Sequence, residues 1–180
     1  MMNITTSRLV LTKNGPDYLK STYAYAGDRD NARLMVYLPF ASLEETAAFL
    51  KKAAEEWEKP CPAFYEFAVL MNRVHVGGLT LYILGEDRQT AELAWIINPG
   101  YARQGIAFEA SQGLIRYARQ ALGIRRFIAQ CDSENTASRR LMEKLGMHFY
   151  SCTGGRFNRS SEEERQELTY ELFSSEVTDE

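Results

Sequence analysis

The sequence has few of the residues that would mark a secreted, metal-dependent or membrane protein. Its 180 residues contain only three cysteines and two histidines. Three cysteines cannot all pair with one another, so reduced thiols and a cytoplasmic location are expected. The two histidines have no partners at metal-ligand spacing, and no metal is expected. We also expect no secretory signal and no membrane span, since no apolar run has the length that either needs.

A strongly basic composition is also absent, which argues against a general nucleic-acid-binding protein. Lys and Arg number 21, Asp and Glu number 24, and the formal net charge is −3, so no overall positive field attracts phosphates. Apolar residues make up 45% of the chain, which is typical of a folded globular protein. The length suits one domain. We therefore predict a single domain over residues 1–173 and a polar tail over 174–180.

The chemistry is predicted to lie between residues 91 and 131. Residues 92–98 alternate and then become apolar throughout, which indicates a strand buried on both faces. From Ile106 an apolar residue recurs every fourth position until Gly123, which indicates a helix packed on a sheet. A second strand begins at Arg126. A strand–helix–strand unit of this length predicts a right-handed parallel crossover.

Outside this stretch the pattern predicts several further elements. These are strands at 8–12, 64–71, 74–84, 148–152 and 167–173, and helices at 17–25, 31–37, 42–58 and 137–145. Ser42 and Glu45 have the spacing of a capping box, and Gly77 with Gly78 predicts a bulge or a close backbone approach. The polar, glycine-containing segment 153–164 is predicted to be a mobile loop.

The turn before the central helix has the composition of an anion site. Its residues are Arg103, Gln104, Gly105, Ile106 and Ala107. The first turn of a helix exposes N–H groups with a partial positive charge, and small side chains let a phosphate approach them. The arginine adds a fixed charge, so several N–H bonds and a guanidinium would together hold a diphosphate. A tight turn without a ligand is the alternative, and for an isolated glycine turn it is the more common one.

Two motifs, in order, resemble the GNAT superfamily of acetyl-CoA-dependent N-acetyltransferases. Residues 99–107, PGYARQGIA, are similar to the family's Arg/Gln-x-x-Gly-x-Gly/Ala pattern. Residues 132–147 are similar to its Asn-x-x-Ser segment followed by Glu-Lys-Leu-Gly-Phe. With segments 6–11 and 37–40 the resemblance covers nearly the whole chain, and it is closest to the branch that acetylates ribosomal-protein alanine residues or spermidine.

The resemblance implies the fold, the cosubstrate and most of the site. The fold would be α+β, with a mixed, mostly antiparallel sheet, a splayed parallel strand pair and flanking helices. Acetyl-CoA would bind with its pantetheine arm against the central strand and its diphosphate on the turn. The residues implied to bind it are Ile96, Ile97, Asn98, Arg103, Gln104, Gly105, Ile106, Ala107, Asn135 and Ser138.

Two residues depart from the family's pattern. Ala102 replaces the usual Arg or Gln, which leaves Arg103 to supply the charge. Met142 occupies the position where many relatives carry a tyrosine proposed to protonate the departing thiolate. Ser138 is therefore the predicted proton donor. Glu92 is predicted to hold a water molecule or the ammonium group of the acceptor.

Each of these assignments has a simpler alternative. Glu92 would otherwise be a surface carboxylate, and Asn135 and Ser138 would form a helix cap. Tyr37 and Tyr82 are placed near the acceptor pocket by the resemblance alone. Cys131 would carry an acetyl group in a ping-pong scheme, but inert packing of a buried cysteine is favoured.

The sequence thus predicts an enzyme that moves an acetyl group from acetyl-CoA to a primary amine, with a protein N-terminal α-amine of ribosomal type as the first candidate. At neutral pH an α-amine loses its proton for about 1 kcal/mol, whereas a lysine amine needs about 4.6. A small amine or polyamine acceptor, or a CoA-binding sensor without turnover, is the alternative. A nucleotide-binding domain is disfavoured because Gly-x-Gly-x-x-Gly is absent. A homodimer is left open.

Overall fold

A computed structural model describes residues 3–173, which contain one eight-stranded sheet and four α-helices. The strands are β1 Ile4–Thr5, β2 Leu9–Lys13, β3 Phe64–Met71, β4 Val74–Leu84, β5 Thr90–Ile97, β6 Arg126–Asp132, β7 His148–Phe157 and β8 Glu164–Phe173. The helices are α1 Leu19–Ala26, α2 Leu43–Trp57, α3 Ile106–Leu122 and α4 Thr136–Lys144. The strand order is β1-β2-β3-β4-β5-β6-β8-β7, and only β5 and β6 run parallel. The predicted α+β fold is confirmed.

The predicted boundary between domain and tail stays a prediction, because residues 174–180 lie outside the described residues. Within the described part, none of the helices is both long and apolar enough to cross a bilayer. The longest of them, α3, has 17 residues and packs one face on the sheet.

Helix α3 forms where the sequence predicts it. Ile106, Ala110, Leu114 and Ala118 are all buried, so the apolar stripe at every fourth position faces the sheet. Gly123 ends the helix in the left-handed conformation, with φ of 71°, and its N–H donates to the Ala118 carbonyl. This is the geometry that favours glycine after a helix.

The parallel strands β5 and β6 separate after a short ladder. Their pairing ends at Glu92 and Ile128, although β5 continues to Ile97 and β6 to Asp132. On its other side β5 stays paired with β4 as far as Ile97. A wedge-shaped gap, here named the cleft, therefore opens between the two parallel strands beyond Glu92. The splayed strand pair is confirmed.

The hairpin of β3 and β4 has the predicted bounds. Asn72 and Arg73 both have positive φ, 49° and 66°, as a two-residue type I′ turn requires. The register shifts beside Gly77, which confirms the predicted bulge. A Cβ atom on Gly77 would lie 2.5 Å from the Ile96 carbonyl oxygen, so the bulge brings β4 so close to β5 that only glycine fits.

Helix α2 begins at the predicted capping box. The Ser42 hydroxyl accepts a hydrogen bond from the Glu45 N–H at 3.3 Å. The Glu45 carboxylate accepts one from the Ala41 N–H at 2.6 Å, one residue before the donor that a capping box uses. Two donors that the helix itself cannot satisfy are thus satisfied by side chains.

The helix predicted for residues 31–37 is wrong, because this segment forms turns. The Asp28 carboxylate accepts a hydrogen bond from the Asn31 N–H at 3.0 Å. The Asn31 amide group donates to the carbonyls of Tyr25 and Ile97, at 3.0 and 3.2 Å. Side-chain bonds to the backbone compete with a helix, and here a contact with β5 decides the outcome.

The loop predicted for residues 153–164 is wrong for half of its length, and its mobility stays a prediction. Strand β7 continues to Phe157 and β8 begins at Glu164, so half of the segment lies in the two strands and residues 158–163 connect them. A polar residue of this connection makes a tertiary contact, since the Asn158 amide group donates to the Asp132 carboxylate at 2.6 Å. Arg165 donates two hydrogen bonds to the Asp132 carboxylate at the end of β6, at 3.1 and 3.2 Å.

Replacing Arg165 by methionine is expected to destabilise the protein by about 3–5 kcal/mol, because Asp132 is fully buried and would lose its cationic partner. Urea unfolding measures the change. Arg139→Met is the control: Arg139 forms an exposed ion pair with Glu143 at 3.9 Å, and its loss should change stability by less than about 1 kcal/mol. Equal effects of the two substitutions would contradict the prediction.

Candidate active site

The loop from β5 to α3 has a backbone suited to binding an anion. Arg103 and Gly105 both adopt positive φ, 62° and 76°, and the Gly105 carbonyl accepts the first hydrogen bond of α3, from the Glu109 N–H at 3.0 Å. The amides of residues 106–108 have no acceptor within the helix. Alternation of left- and right-handed residues gathers N–H groups into a concave anion site. The structure thus brings the predicted diphosphate-binding residues together in one turn.

The cleft exposes part of the β5 backbone. The Asn98 N–H donates to the Val76 carbonyl at 2.8 Å, and bonding directions alternate along an antiparallel ladder. Ile96 therefore also turns its backbone groups toward β4, whereas Trp95 and Ile97 turn theirs toward the cleft. No described strand pairs with them there, although the Ile97 carbonyl accepts a hydrogen bond from the Asn31 side chain. Of Ile96, Ile97 and Asn98, which were predicted to bind the coenzyme, only Ile97 presents its N–H to the cleft, and Asn98 follows the end of β5.

Helix α4 begins on the other side of the cleft. The Asn135 side chain accepts a hydrogen bond from the Ser138 N–H at 3.0 Å and so caps the helix. The Ser138 hydroxyl accepts one from the indole N–H of Trp95 at 3.3 Å, which leaves its own hydrogen free to donate. Met142 is fully buried and forms part of the core. Trp95 was not predicted as a site residue, because a tryptophan in an apolar strand has the same pattern as a core residue.

Glu92 lies at the closed end of the cleft, where the pairing of β5 with β6 stops. It is partly buried and faces Tyr82 across the β4–β5 ladder. Burial raises the pKa of Glu92, the Glu167 carboxylate raises it further, and the Arg156 guanidinium partly offsets both. A carboxyl group with a raised pKa in a cleft is suited to accepting a proton near neutral pH.

The two predicted acceptor-side tyrosines lie in one region but differ in exposure. Burial, and then the carboxyl groups of Glu66 and Glu92, raise the pKa of Tyr82 to about 12. Its hydroxyl therefore stays protonated and can donate a hydrogen bond. Tyr37 is 77% exposed, yet it is close enough to add to the same effect on Tyr82. The structure thus brings Tyr37, Tyr82 and Glu92 together beside the cleft.

Arginines near the tip of the β7–β8 hairpin bind the segment that carries Tyr37, and the sequence did not predict these contacts. Arg159 forms a forked ion pair with Glu45 on α2, at 2.7 and 3.0 Å, and donates to the Tyr37 carbonyl at 3.2 Å. Arg156 donates to the Leu34 carbonyl at 3.0 Å. Both arginines hold the segment that carries Tyr37. Glu45 and Arg159 are 114 positions apart in the chain, so no pattern of neighbouring residues predicts their contact.

Cys131 and His75 have structural surroundings. Burial raises the pKa of the Cys131 thiol to about 11, so it is not the thiolate that an acetyl carrier needs. The ring nitrogens of His75 contact the Ser21 hydroxyl and the Gly77 carbonyl, each at 2.8 Å. The first observation agrees with the inert packing favoured for Cys131, and the second gives His75 a structural role.

Comparisons with known proteins identify the family to which this chain belongs. A family model described as an acetyltransferase (GNAT) domain matches residues 8–148. The uncharacterized N-acetyltransferase YnaD of Bacillus subtilis (strain 168) is 30% identical over 149 residues, which cover 81% of this chain and 82% of YnaD.

Solved structures give the same fold. A GNAT-family acetyltransferase from Bacillus anthracis matches 97% of this chain and 100% of its own, with a TM-score of 0.85 and 26% identity. At 16% identity, the ribosomal L7/L12 α-N-protein acetyltransferase RimL in complex with coenzyme A shares the fold, with a TM-score of 0.83 over 96% of this chain and 98% of RimL. The family match, the relatives and the cleft agree, and the chain belongs to the GNAT acetyltransferase family.

Proposed function

We propose that this protein transfers an acetyl group from acetyl-CoA to a primary amine, and that its first acceptor class is the N-terminal α-amine of a ribosomal-type protein. The observation that carries the proposal is the cleft, in which an unpaired edge of β5 lies beside the start of α3. An extended pantetheine arm needs such an edge, and a diphosphate needs such a helix start.

Each part of acetyl-CoA has residues suited to it. The amides of Trp95 and Ile97 would pair with the pantetheine arm as a neighbouring strand would. The diphosphate would lie on residues 103–107, where the backbone of Gln104, Gly105, Ile106 and Ala107 supplies N–H groups and the side chain of Arg103 supplies charge. Asn135 and Ser138 would border the arm from α4.

The residues around the cleft are suited to each proton transfer. The acceptor amine attacks the thioester carbon, the carbonyl oxygen gains negative charge, and a β5 amide in the cleft stabilises it. The amine's proton passes to Glu92, directly or through one water molecule. The C–S bond breaks, and the thiolate takes a proton from the Ser138 hydroxyl, which regains one from solvent. The Trp95 indole stabilises the serine oxygen during this step. A thiol with a pKa near 8.5 leaves readily, so a weak acid suffices.

Two alternatives have specific support. The Glu167 carboxylate is close enough to raise the pKa of Glu92, and two neighbouring carboxylates favour a small cationic amine or polyamine. Ala102 and the buried Met142 lack groups that the family's enzymes commonly have, which favours a CoA-binding sensor. A cytoplasmic location remains part of the proposal, supported by three free cysteines, Cys61, Cys131 and Cys152.

An acceptor screen tests the proposal. Purified protein is incubated with acetyl-CoA and with peptides carrying free α-amines, with spermidine or with small amines. Thiol release and the added acetyl mass are then measured. We expect turnover of peptides with a free α-amine and none of matched peptides whose N-terminus is blocked. Turnover of polyamines alone would change the acceptor class. Binding of acetyl-CoA without turnover would favour the sensor, and no binding would overturn the proposal.

A further inference from the structure

Arg8 connects the N-terminal segment to the loop that precedes α3. Its Nε donates to the Glu109 carboxylate at 2.7 Å, and its backbone N–H donates to the same carboxylate at 2.8 Å. Its terminal Nη2 donates to the Gln104 carbonyl at 3.1 Å. The hydroxyls of Thr6 and Ser7 also donate to Glu109, at 2.6 and 2.9 Å. One side chain thus links the first turn of α3 to the peptide unit just before it.

Glu109 is a permanent anchor for this arrangement. Burial alone would raise the pKa of Glu109, but hydrogen bonds from Thr6, Arg8 and Ser7 outweigh it and lower the pKa to about 2. The carboxylate is therefore ionised throughout the physiological pH range. It holds the Arg8 guanidinium with one edge against the helix and one nitrogen against the Gln104 carbonyl, a two-sided contact that suits the planar fork of arginine.

The contact with Gln104 determines where the next amide points. The Gln104 carbonyl and the Gly105 N–H belong to one planar trans peptide unit, so they point in opposite directions. Because Arg8 binds the carbonyl, the Gly105 N–H is directed away from Arg8. The guanidinium lies close beside the loop, since a Cβ atom on Gly105 would lie 3.6 Å from its Nη2. The contact restrains the peptide unit that joins Gln104 to the left-handed Gly105.

We propose that Arg8 is a positioning residue for coenzyme A: it holds the Gln104–Gly105 peptide so that the Gly105 N–H joins the first-turn amides in binding the diphosphate. This inference rests on the proposed function, because it assumes that the loop binds a diphosphate. Its effect is confined to the diphosphate end of the coenzyme. The pantetheine arm and the reacting thioester lie against β5 and are held by other residues.

The test compares ligands with and without a diphosphate. Arg8→Gln is expected to raise the Kd for coenzyme A and the KM for acetyl-CoA about tenfold, as the loss of one preorganised hydrogen bond to a charged group implies. The kcat at saturating acetyl-CoA, and kcat/KM for S-acetylpantetheine, which has no diphosphate, should stay unchanged. Isothermal titration and steady-state kinetics measure these constants. Arg8→Lys should show most of the same loss, because an ammonium group keeps the charge but not the fork.

Ser7→Ala is the matched control. Ser7 donates to the same Glu109 oxygen as the Arg8 backbone, but its hydroxyl makes no contact with Gln104 among the described residues. The Kd of the Ser7→Ala protein for coenzyme A should stay within twofold of that of the wild type. An unchanged Kd in Arg8→Gln, or equal losses with acetyl-CoA and S-acetylpantetheine, would overturn the positioning role alone. If wild-type protein bound no coenzyme A, the proposed function would fail together with it.

Discussion

Replacing Gly105 by aspartate is expected to raise the Kd for acetyl-CoA by more than about 100-fold, which corresponds to about 2.7 kcal/mol. Two effects combine. Gly105 has φ of 76°, where any other residue is strained by about 1–2 kcal/mol. The new carboxylate would also lie against the diphosphate, in place of N–H groups that attract it. Isothermal titration with acetyl-CoA measures the change directly.

Gly123→Asp is the matched control, because it places aspartate at a residue with similarly positive φ that is far from the proposed diphosphate site. Gly123 lies at the opposite end of α3 with φ of 71°, and apart from its chain neighbours no atom of residues 3–173 lies within 4 Å of a Cβ atom built there. The substitution should lower the melting temperature by a similar amount but leave the Kd for acetyl-CoA unchanged. Weaker binding in both variants to the same degree would mean that helix stability, and not the loop, controls affinity. Binding within threefold of wild type in Gly105→Asp would place the diphosphate elsewhere.

Glu92→Gln is expected to lower kcat/KM at neutral pH by roughly 100-fold, the lower range for loss of a positioned base. It should also change the pH profile. The pKa of Glu92 is raised by burial and by Glu167. Below that pKa the carboxyl holds its proton and cannot accept another, so wild-type kcat/KM should fall as the pH decreases. The amide of glutamine does not titrate, so in the variant the rate should follow only the pKa of the acceptor amine, and turnover should require a higher pH.

Glu167→Gln is a second variant, which should shift the acid limb of the pH profile of kcat/KM without removing Glu92, the proposed base. The substitution removes a carboxylate that raises the pKa of Glu92, and it frees Arg156, which lowers it. Both changes act in one direction, so the acid limb of kcat/KM should shift to lower pH while the rate at its plateau is kept. An identical profile in all three proteins would return Glu92 to the role of a partly buried structural carboxylate.

Local patterns predicted the elements whose cause is local. The period of four from Ile106 to Ala118, the turn at Asn72 and Arg73, and the cap at Ser42 each depend on residues a few positions apart. Their energies come from one helix face, one hairpin or one helix end, so the sequence contains all the information they need. The two motifs likewise located the loop before α3 and the cap at Asn135.

Long-range contacts overruled the local pattern in two segments. Residues 31–37 are apolar enough for a helix, but Asn31 binds the Ile97 carbonyl on β5 and the chain turns instead. Residues 153–164 are polar enough for a loop, but Asn158 binds buried Asp132 and half of the segment joins the sheet. In both cases a polar side chain finds its partner on a distant strand, and the partner decides the conformation.

The sequence by itself determined the family, the strand–helix–strand unit and the loop proposed to bind a diphosphate, because each is recorded in residues that are close together in the chain. Only the tertiary structure decided which β5 amides face the cleft, that Trp95 contacts Ser138, and that Arg8 binds the Gln104 carbonyl. Strand register and the divergence of β5 from β6 determine these contacts. They join residues as many as 96 positions apart, and folding alone brings such residues together.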